Sequence, residues 1–202
     1  MENRNFGDME GWGSKGSGGG SAGYEYLIAY KVTVPIYDYT VEFCKRYFSK
    51  LSSKRTQDQM VQAARSGMQN LLEGNQQASL EGYIKLLGVN SASLEELLRD
   101  YMSYARQNKI PIFGKEKSLR EVREIGEVWD VINSNKVLPD IPNFPDLPYD
   151  ESHALNLILT LVHQAIFLQK KLRASLEEKF IKEGGFREKL FNKRREYKNK
   201  GY

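Results

Sequence analysis

Residues 79–107 read SLEGYIKLLGVNSASLEELLRDYMSYARQ, and within them Tyr83, Leu87, Asn90, Leu94, Leu97, Tyr101 and Tyr104 are separated by alternating steps of four and three. At 3.6 residues per turn this spacing sets all of them on one stripe of an α-helix, and such a stripe needs other apolar surfaces to cover it. Asn90 interrupts the apolar run. A polar residue on a core stripe commonly fixes register through a hydrogen bond at some cost in stability, and that role is favoured here over a ligand contact.

Other segments supply the covering surfaces. Upstream, Val34, Tyr37, Val41, Cys44, Phe48 and Leu51 follow the same rule and predict a first long helix. Pro35 lacks an amide hydrogen, so it sits in the opening turn or kinks a helix that starts nearer Ala29. Thr56 and Gln59 can form a reciprocal capping box that opens a second helix, which Gly74 can close. Ala63 with Gly67, and Gly88 with Ala92 on the next helix, put small residues one turn apart, and these two patches are expected to face each other. A shorter helix is expected from Ser118, capped with Glu121, with Leu119, Val122, Gly126, Trp129 and Ile132 on one side. The last long helix, from near Asp150 to about Lys182, carries Leu155, Ile158, Val162, Ala165, Gln169, Leu172 and Leu176, and Gly184 and Gly185 stop it.

The pattern predicts an all-α chain: an antiparallel four-helix bundle over residues 24–183, with an extra short helix in the third-to-fourth connection and a basic C-terminal helical tail over 184–202. Residues 1–23 hold eight of the seventeen glycines and are expected to form a flexible Gly/Ser-rich tail, in which Phe6 and Trp12 are isolated aromatics. Pro139, Pro142, Pro145 and Pro148 recur every three residues in the connector 138–149, which suits an extended, solvent-exposed chain better than a recognition peptide.

The net charge of +4 is modest, but its distribution is not even. Residues 187–200 hold seven bases (Arg187, Lys189, Lys193, Arg194, Arg195, Lys198, Lys200) against two acids, a local charge of +5 that leaves about −1 for the rest. Attraction to phosphate is therefore concentrated at the C-terminal end. The lone Cys44, with no leader pattern at the N-terminus, predicts a cytoplasmic location, and the apolar run Leu155–Val162 is too short to span a membrane.

No catalytic residue, metal ligand or cofactor site is expected. The two histidines provide no Glu-x-x-His pair on each of two helices, and no phosphate loop or Cys-x-x-Cys spacing occurs. A Cys44–His163 thiolate pair is disfavoured because Cys44 lies on an apolar stripe, where burial raises a thiol pKa; His163 is expected to be hydrogen-bonded within the bundle.

The second helix is unusual in crowding Arg55, Gln59, Gln62, Arg65, Gln69 and Asn70 onto one broad polar side. That is either a solvated face or a surface suited to RNA or to another subunit, because glutamine and arginine offer planar, directional donors.

RTQDQMVQAARSGMQNLLEG (55–74), SLEELLRDYMSYARQ (93–107), LVHQAIFLQKKL (161–172) and EEKFIKEGGFREKL (177–190), in this order, resemble the four-helix-bundle suffix-domain family. That group is related to proteins encoded in intervening sequences of bacterial ribosomal RNA genes and, more distantly, to accessory proteins of diversity-generating retroelement reverse transcriptases. The resemblance implies a bundle that assembles into rings, often pentamers, with Arg55, Gln59, Gln62, Arg65, Ser66 and Gln69 as the shared signature. It also implies RNA and a reverse transcriptase as partners; the group has no settled activity.

The expectation is thus a non-enzymatic RNA-binding or ribonucleoprotein-accessory protein, homo-oligomeric, without cofactor. Nucleic acid would meet Lys54, Arg55 and Arg65 in one patch and Arg187, Lys189, Lys193, Arg194, Arg195, Lys198 and Lys200 in another. Gln59, Gln62, Ser66 and Gln69 would form the oligomer or partner interface. The alternative is an assembly protein that forms rings through its polar helix face without nucleic acid.

Overall fold

The computed structural model describes residues 28–48, 54–77, 79–134 and 144–199. Among these the chain is all-helical, with no strand: α1 Ile28–Lys31, α2 Thr33–Tyr47, α3 Lys54–Asn75, α4 Leu80–Asn108, α5 Lys115–Glu121, α6 Glu124–Asn133, α7 Glu151–Glu183 and α8 Phe186–Asn199. The long helices pack in sequence, α2 on α3, α3 on α4, α4 on α7 and α7 on α2, and α5 and α6 lie against α7.

The α4 and α7 stripes are buried as their spacing predicts, with Tyr104 alone half-buried. Ser79 caps α4 by accepting from the Gly82 amide, and Asp150 caps α7 by accepting from the His153 amide. In α2 the burial is rotated from the expected stripe. Ile36, Tyr39, Thr40 and Phe43 face the core beside Cys44, whereas Val34, Tyr37, Val41 and Phe48 are only half-buried. Two threonines make the rotation possible: Thr33 and Thr40 donate their hydroxyls back to the Tyr30 and Ile36 carbonyls at 2.7 Å, so neither is left unpaired in the core. Val32 separates α1 from α2, three residues before Pro35, whose ring would clash with the Lys31 carbonyl of a continuous helix.

Several boundaries differ from expectation. Helix α3 already includes Lys54, so Thr56 lies inside it rather than capping it, and Gly74 is an internal residue. Gly74 is buried where a Cβ would meet the Tyr83 ring at 2.5 Å, so packing and not termination explains it. The expected short helix is two: Ser118 is buried inside α5, and the chain breaks at Val122–Arg123 before α6, turning Leu119 and Gly126 outward. The small patches do not meet. Gly67 faces Leu94 and Asn90, Gly88 faces Arg173 of α7, and Ala92 is exposed.

Polar ties close the ends. The buried Lys31 donates from Nζ to the carbonyls of Ile132 at 3.2 Å and Ser134 at 3.1 Å, placing a cation on the C-terminus of α6. Asn156 accepts from the Phe113 amide and donates to the Pro111 carbonyl, anchoring the α4–α5 loop on α7. The described part of the proline segment is docked rather than solvated. Tyr39 donates to the Pro145 carbonyl at 2.6 Å, Arg46 to those of Leu147 and Pro148, and Leu147 is buried. The expectations for residues 1–23, Leu51, Pro139, Pro142 and Lys200 lie outside the described residues.

Candidate nucleic-acid interface

Helix α8 begins from a glycine turn. Gly184 has φ 72°, the left-handed region that favours glycine, and its amide donates to the Phe180 carbonyl at 2.9 Å to finish α7. Gly185 is buried against α4, where a Cβ would stand 2.5 Å from Glu81 Oε1, the mobile end of an exposed side chain, so the positive φ of Gly184 is the stricter demand for glycine. The Gly185 amide donates to Glu188 Oε2 at 2.9 Å, a carboxylate cap at the start of α8. That Gly-x-x-Glu spacing is a capping signal legible in the sequence, but apolar periodicity does not register it.

No residue of α8 is buried. At 100° per residue Phe186, Leu190 and Tyr197 share one side, with Lys193 and Arg194 at its two edges. Arg187, Arg195 and Lys198 continue the cationic surface, while Lys189 is drawn back to Glu183 at 3.0 Å. The described helix therefore joins six cations to the exposed rings of Phe186, Phe191 and Tyr197.

The second predicted patch is different in kind. Lys54, Arg55, Gln59, Gln62 and Ser66 are brought together along an open groove of about 770 Å³ between α3 and α4. Asp58 and Glu96 line the same groove, so its two cations meet two carboxylates and it offers no net positive field. Ser66 and Ser93 share a hydroxyl–hydroxyl bond of 3.0 Å across its floor, and Asn70 donates to Ser66 at 3.0 Å. Arg65 is exposed beside the groove without lining it, and Gln69 is half-buried. The groove and α8 do not merge: Glu81, beside Gly185, and Glu96, in the groove, are fifteen residues apart on α4, about 22 Å along the axis.

Cys44 is buried and its thiol is pushed up to about 11, chiefly by loss of solvation and secondarily by Asp58. His163 is exposed, contrary to expectation, because it follows Val162 by one residue and so points about 100° away from the core stripe. Buried thiol and solvated imidazole therefore face different environments. Among the described residues no group of His, Cys, Asp or Glu could hold a metal ion, and no helix is long and apolar enough to cross a membrane.

No protein-family model matches the chain, and no curated protein or solved structure matches it either.

Proposed function

We propose that the protein is a non-enzymatic RNA-binding helical bundle, an accessory component of a ribonucleoprotein, in which α8 makes the RNA contact. In this reading α2, α3, α4 and α7 make one antiparallel four-helix bundle, with α5 and α6 as the additional element in the connection before α7. The observation that carries it is α8 itself: a helix that buries none of its residues and interleaves cations with exposed aromatic rings. Arginine and lysine neutralise phosphates, and aromatic faces accept unstacked bases without demanding a sequence. The resemblance to the four-helix-bundle suffix-domain family agrees with this and suggests a reverse transcriptase as the protein partner.

The neutral α3–α4 groove favours a second role beside it. Its glutamines and serines, flanked by two cations and two carboxylates that balance in charge, suit a subunit contact better than a phosphate contact, so homo-oligomers are proposed to form there. The alternative reading is a ring-forming assembly protein that uses this face and binds no nucleic acid.

Anisotropy of a labelled single-stranded RNA separates the two. With about five phosphate contacts the affinity should fall with salt at a log–log slope near −3.5. Changing Lys193, Arg194, Arg195 and Lys198 together to Gln should remove most of the binding, and an unchanged affinity would take α8 out of the RNA contact.

A further inference from the structure

At the end of the molecule opposite α8 one groove is lined mainly by carboxylates. Between the start of α6, the segment 145–149 and the start of α7 lies a groove of about 500 Å³. Glu121, Glu124, Glu127, Asp146 and Asp150 bring five carboxylates to it against the guanidinium of Arg123, with Arg46, itself paired with Glu42, stacked on the Tyr149 ring at its rim. Three of the five are occupied: Glu121 by Lys117 and Arg120, Glu127 by Arg123 at 3.0 Å, and Asp150 by His153. Glu124 and Asp146 make no ion pair with any described residue. The concentration of negative charge is felt by Tyr39 on the groove's inner side, whose hydroxyl pKa is raised by burial first and then by Asp38, Glu124, Asp146 and Glu127. The groove is also part apolar, with Pro145, Pro148 and the outward ring of Tyr149 along one wall.

Helix α8 matches this groove in charge and in character. Phe186 and Leu190 are about half exposed and Phe191 more so, on a helix bearing six cations and two acids. Such a helix has a strong reason to find an acidic, part-apolar trough.

It cannot find its own. The groove sits at the first turn of α7 and α8 leaves from the last, 33 residues later, a separation of about 50 Å. The 14 residues of α8 span about 21 Å, less than half of that separation.

We infer that α8 of one copy docks in the acidic groove of a second copy, and that this contact competes with RNA for the same cations. The competition rests on α8 being the RNA contact; the docking does not. Because donor helix and acceptor groove are at opposite ends, two antiparallel copies can exchange the contact reciprocally in a closed dimer, and copies arranged head-to-tail can propagate it to rings or open chains. The acidic groove would then keep the cationic helix covered until an anion of higher charge density displaces it.

Sedimentation velocity of the full chain tests this at about 0.01 M salt, where the Debye length is about 30 Å, and at about 1 M, where it is about 3 Å. Association beyond any salt-insensitive oligomer held at the α3–α4 groove is expected at low salt, and its loss at high salt. The double variant Glu124→Gln with Asp146→Asn should weaken it about tenfold. Reversing Lys193, Arg194, Arg195 and Lys198 to Glu should abolish it, on a helix that contributes no buried residue to the core. Adding Glu121→Lys, Glu124→Lys, Glu127→Lys and Asp146→Lys to that reversed tail should restore it. A single-stranded oligouridylate should disperse the wild-type assemblies, and the Gln/Asn variant should bind that RNA without loss. A wild type monomeric at low salt, or groove variants that assemble like the wild type, would overturn the docking. A tail variant that still binds oligouridylate but no longer assembles would instead overturn the RNA reading and leave the docking standing.

Discussion

Gly67 of α3 and Leu94 of α4 are in direct contact: a Cβ built on Gly67 would lie 2.6 Å from Leu94 Cδ2 and 3.0 Å from its Cγ. Leu94 is fully buried, so it has little room to swing aside. The absence of a side chain at 67 is what lets the two backbones approach. Gly88, on the same helix as Leu94, has open space around it, with only Arg173 Nη1 near at 3.8 Å. The two glycines therefore respond oppositely to alanine. Gly67→Ala should destabilise by about 1–3 kcal/mol through overpacking, less up to about 1 kcal/mol returned as helix propensity. Gly88→Ala should gain most of that propensity, about 0.5–1 kcal/mol. Urea midpoints measured on the two variants check the sign of each.

Thr40 and Tyr101 make an asymmetric pair. Tyr101 donates to Thr40 Oγ1 at 3.0 Å, and Thr40 donates onward to the Ile36 carbonyl at 2.7 Å, with both side chains buried. Tyr101→Phe deletes a donor and leaves Thr40 satisfied, which should cost about 0.5–1.5 kcal/mol. Thr40→Val strands the Tyr101 hydroxyl in the core, which should cost about 1–3 kcal/mol. Thr40→Val is thus the more damaging change although it adds apolar surface, and equal losses in denaturant unfolding would contradict a chain of bonds running from Tyr101 through Thr40 to Ile36.

Asp150 holds its carboxyl below the usual carboxylate range, first through the His153 amide that it accepts at 2.9 Å and then through the His153 ring. A depressed carboxylate favours the folded chain above the unfolded pKa, and that contribution disappears as pH falls through the folded value. Asp150→Ala should therefore cost about 1 kcal/mol near neutrality, as loss of a helix N-cap does. The gap to wild type should narrow below pH about 4, where the unfolded carboxyl is protonated. Thermal melts of both proteins from pH 7 to pH 2 would show the two curves converging; parallel curves would remove Asp150 from the acid response.

How far the sequence foretells these contacts depends on where each signal lies. The α4 and α7 stripes are legible because large apolar residues repeat over about six turns in each, and few other surfaces can cover them. The face of α2 is misread because Thr33, Pro35 and Thr40 are buried there, and a threonine that bonds its own helix backbone looks polar in sequence but not in packing. The break at Val122 has no glycine or proline to mark it. The cationic helix is visible as a local run of charge. The acidic groove is not, because residues 121–127 and 145–150 meet only after Tyr39 and Arg46 bind the carbonyls of Pro145, Leu147 and Pro148. The polar side of α3 is recognisable from its own residues, but Glu96, which helps neutralise it, arrives from α4.

Asn90 gives the sharpest test of whether a polar core residue sets register. It is fully buried next to Gly67, between one apolar cluster that includes Ala64, Leu94 and Ala165 and another that includes Leu71, Leu87 and Leu172. Neither its Oδ1 nor its Nδ2 has a hydrogen-bond partner, so the expected register bond is not made. Gln169 at the same boundary is half-satisfied, accepting from Ser91 at 3.2 Å while its own amide nitrogen donates to nothing. An unpaired buried amide costs about 1–3 kcal/mol, so Asn90→Leu, similar in branching, should raise the urea midpoint. If the residue serves to exclude a shifted pairing of α4 with its neighbours, the same variant will also give doubled amide signals for Gly67 and Gly88 in NMR spectra. A more stable variant with single signals would mean that Leu94 against Gly67 and Tyr83 against Gly74 already fix the register by shape, and that the asparagine acts at this layer only as a cost.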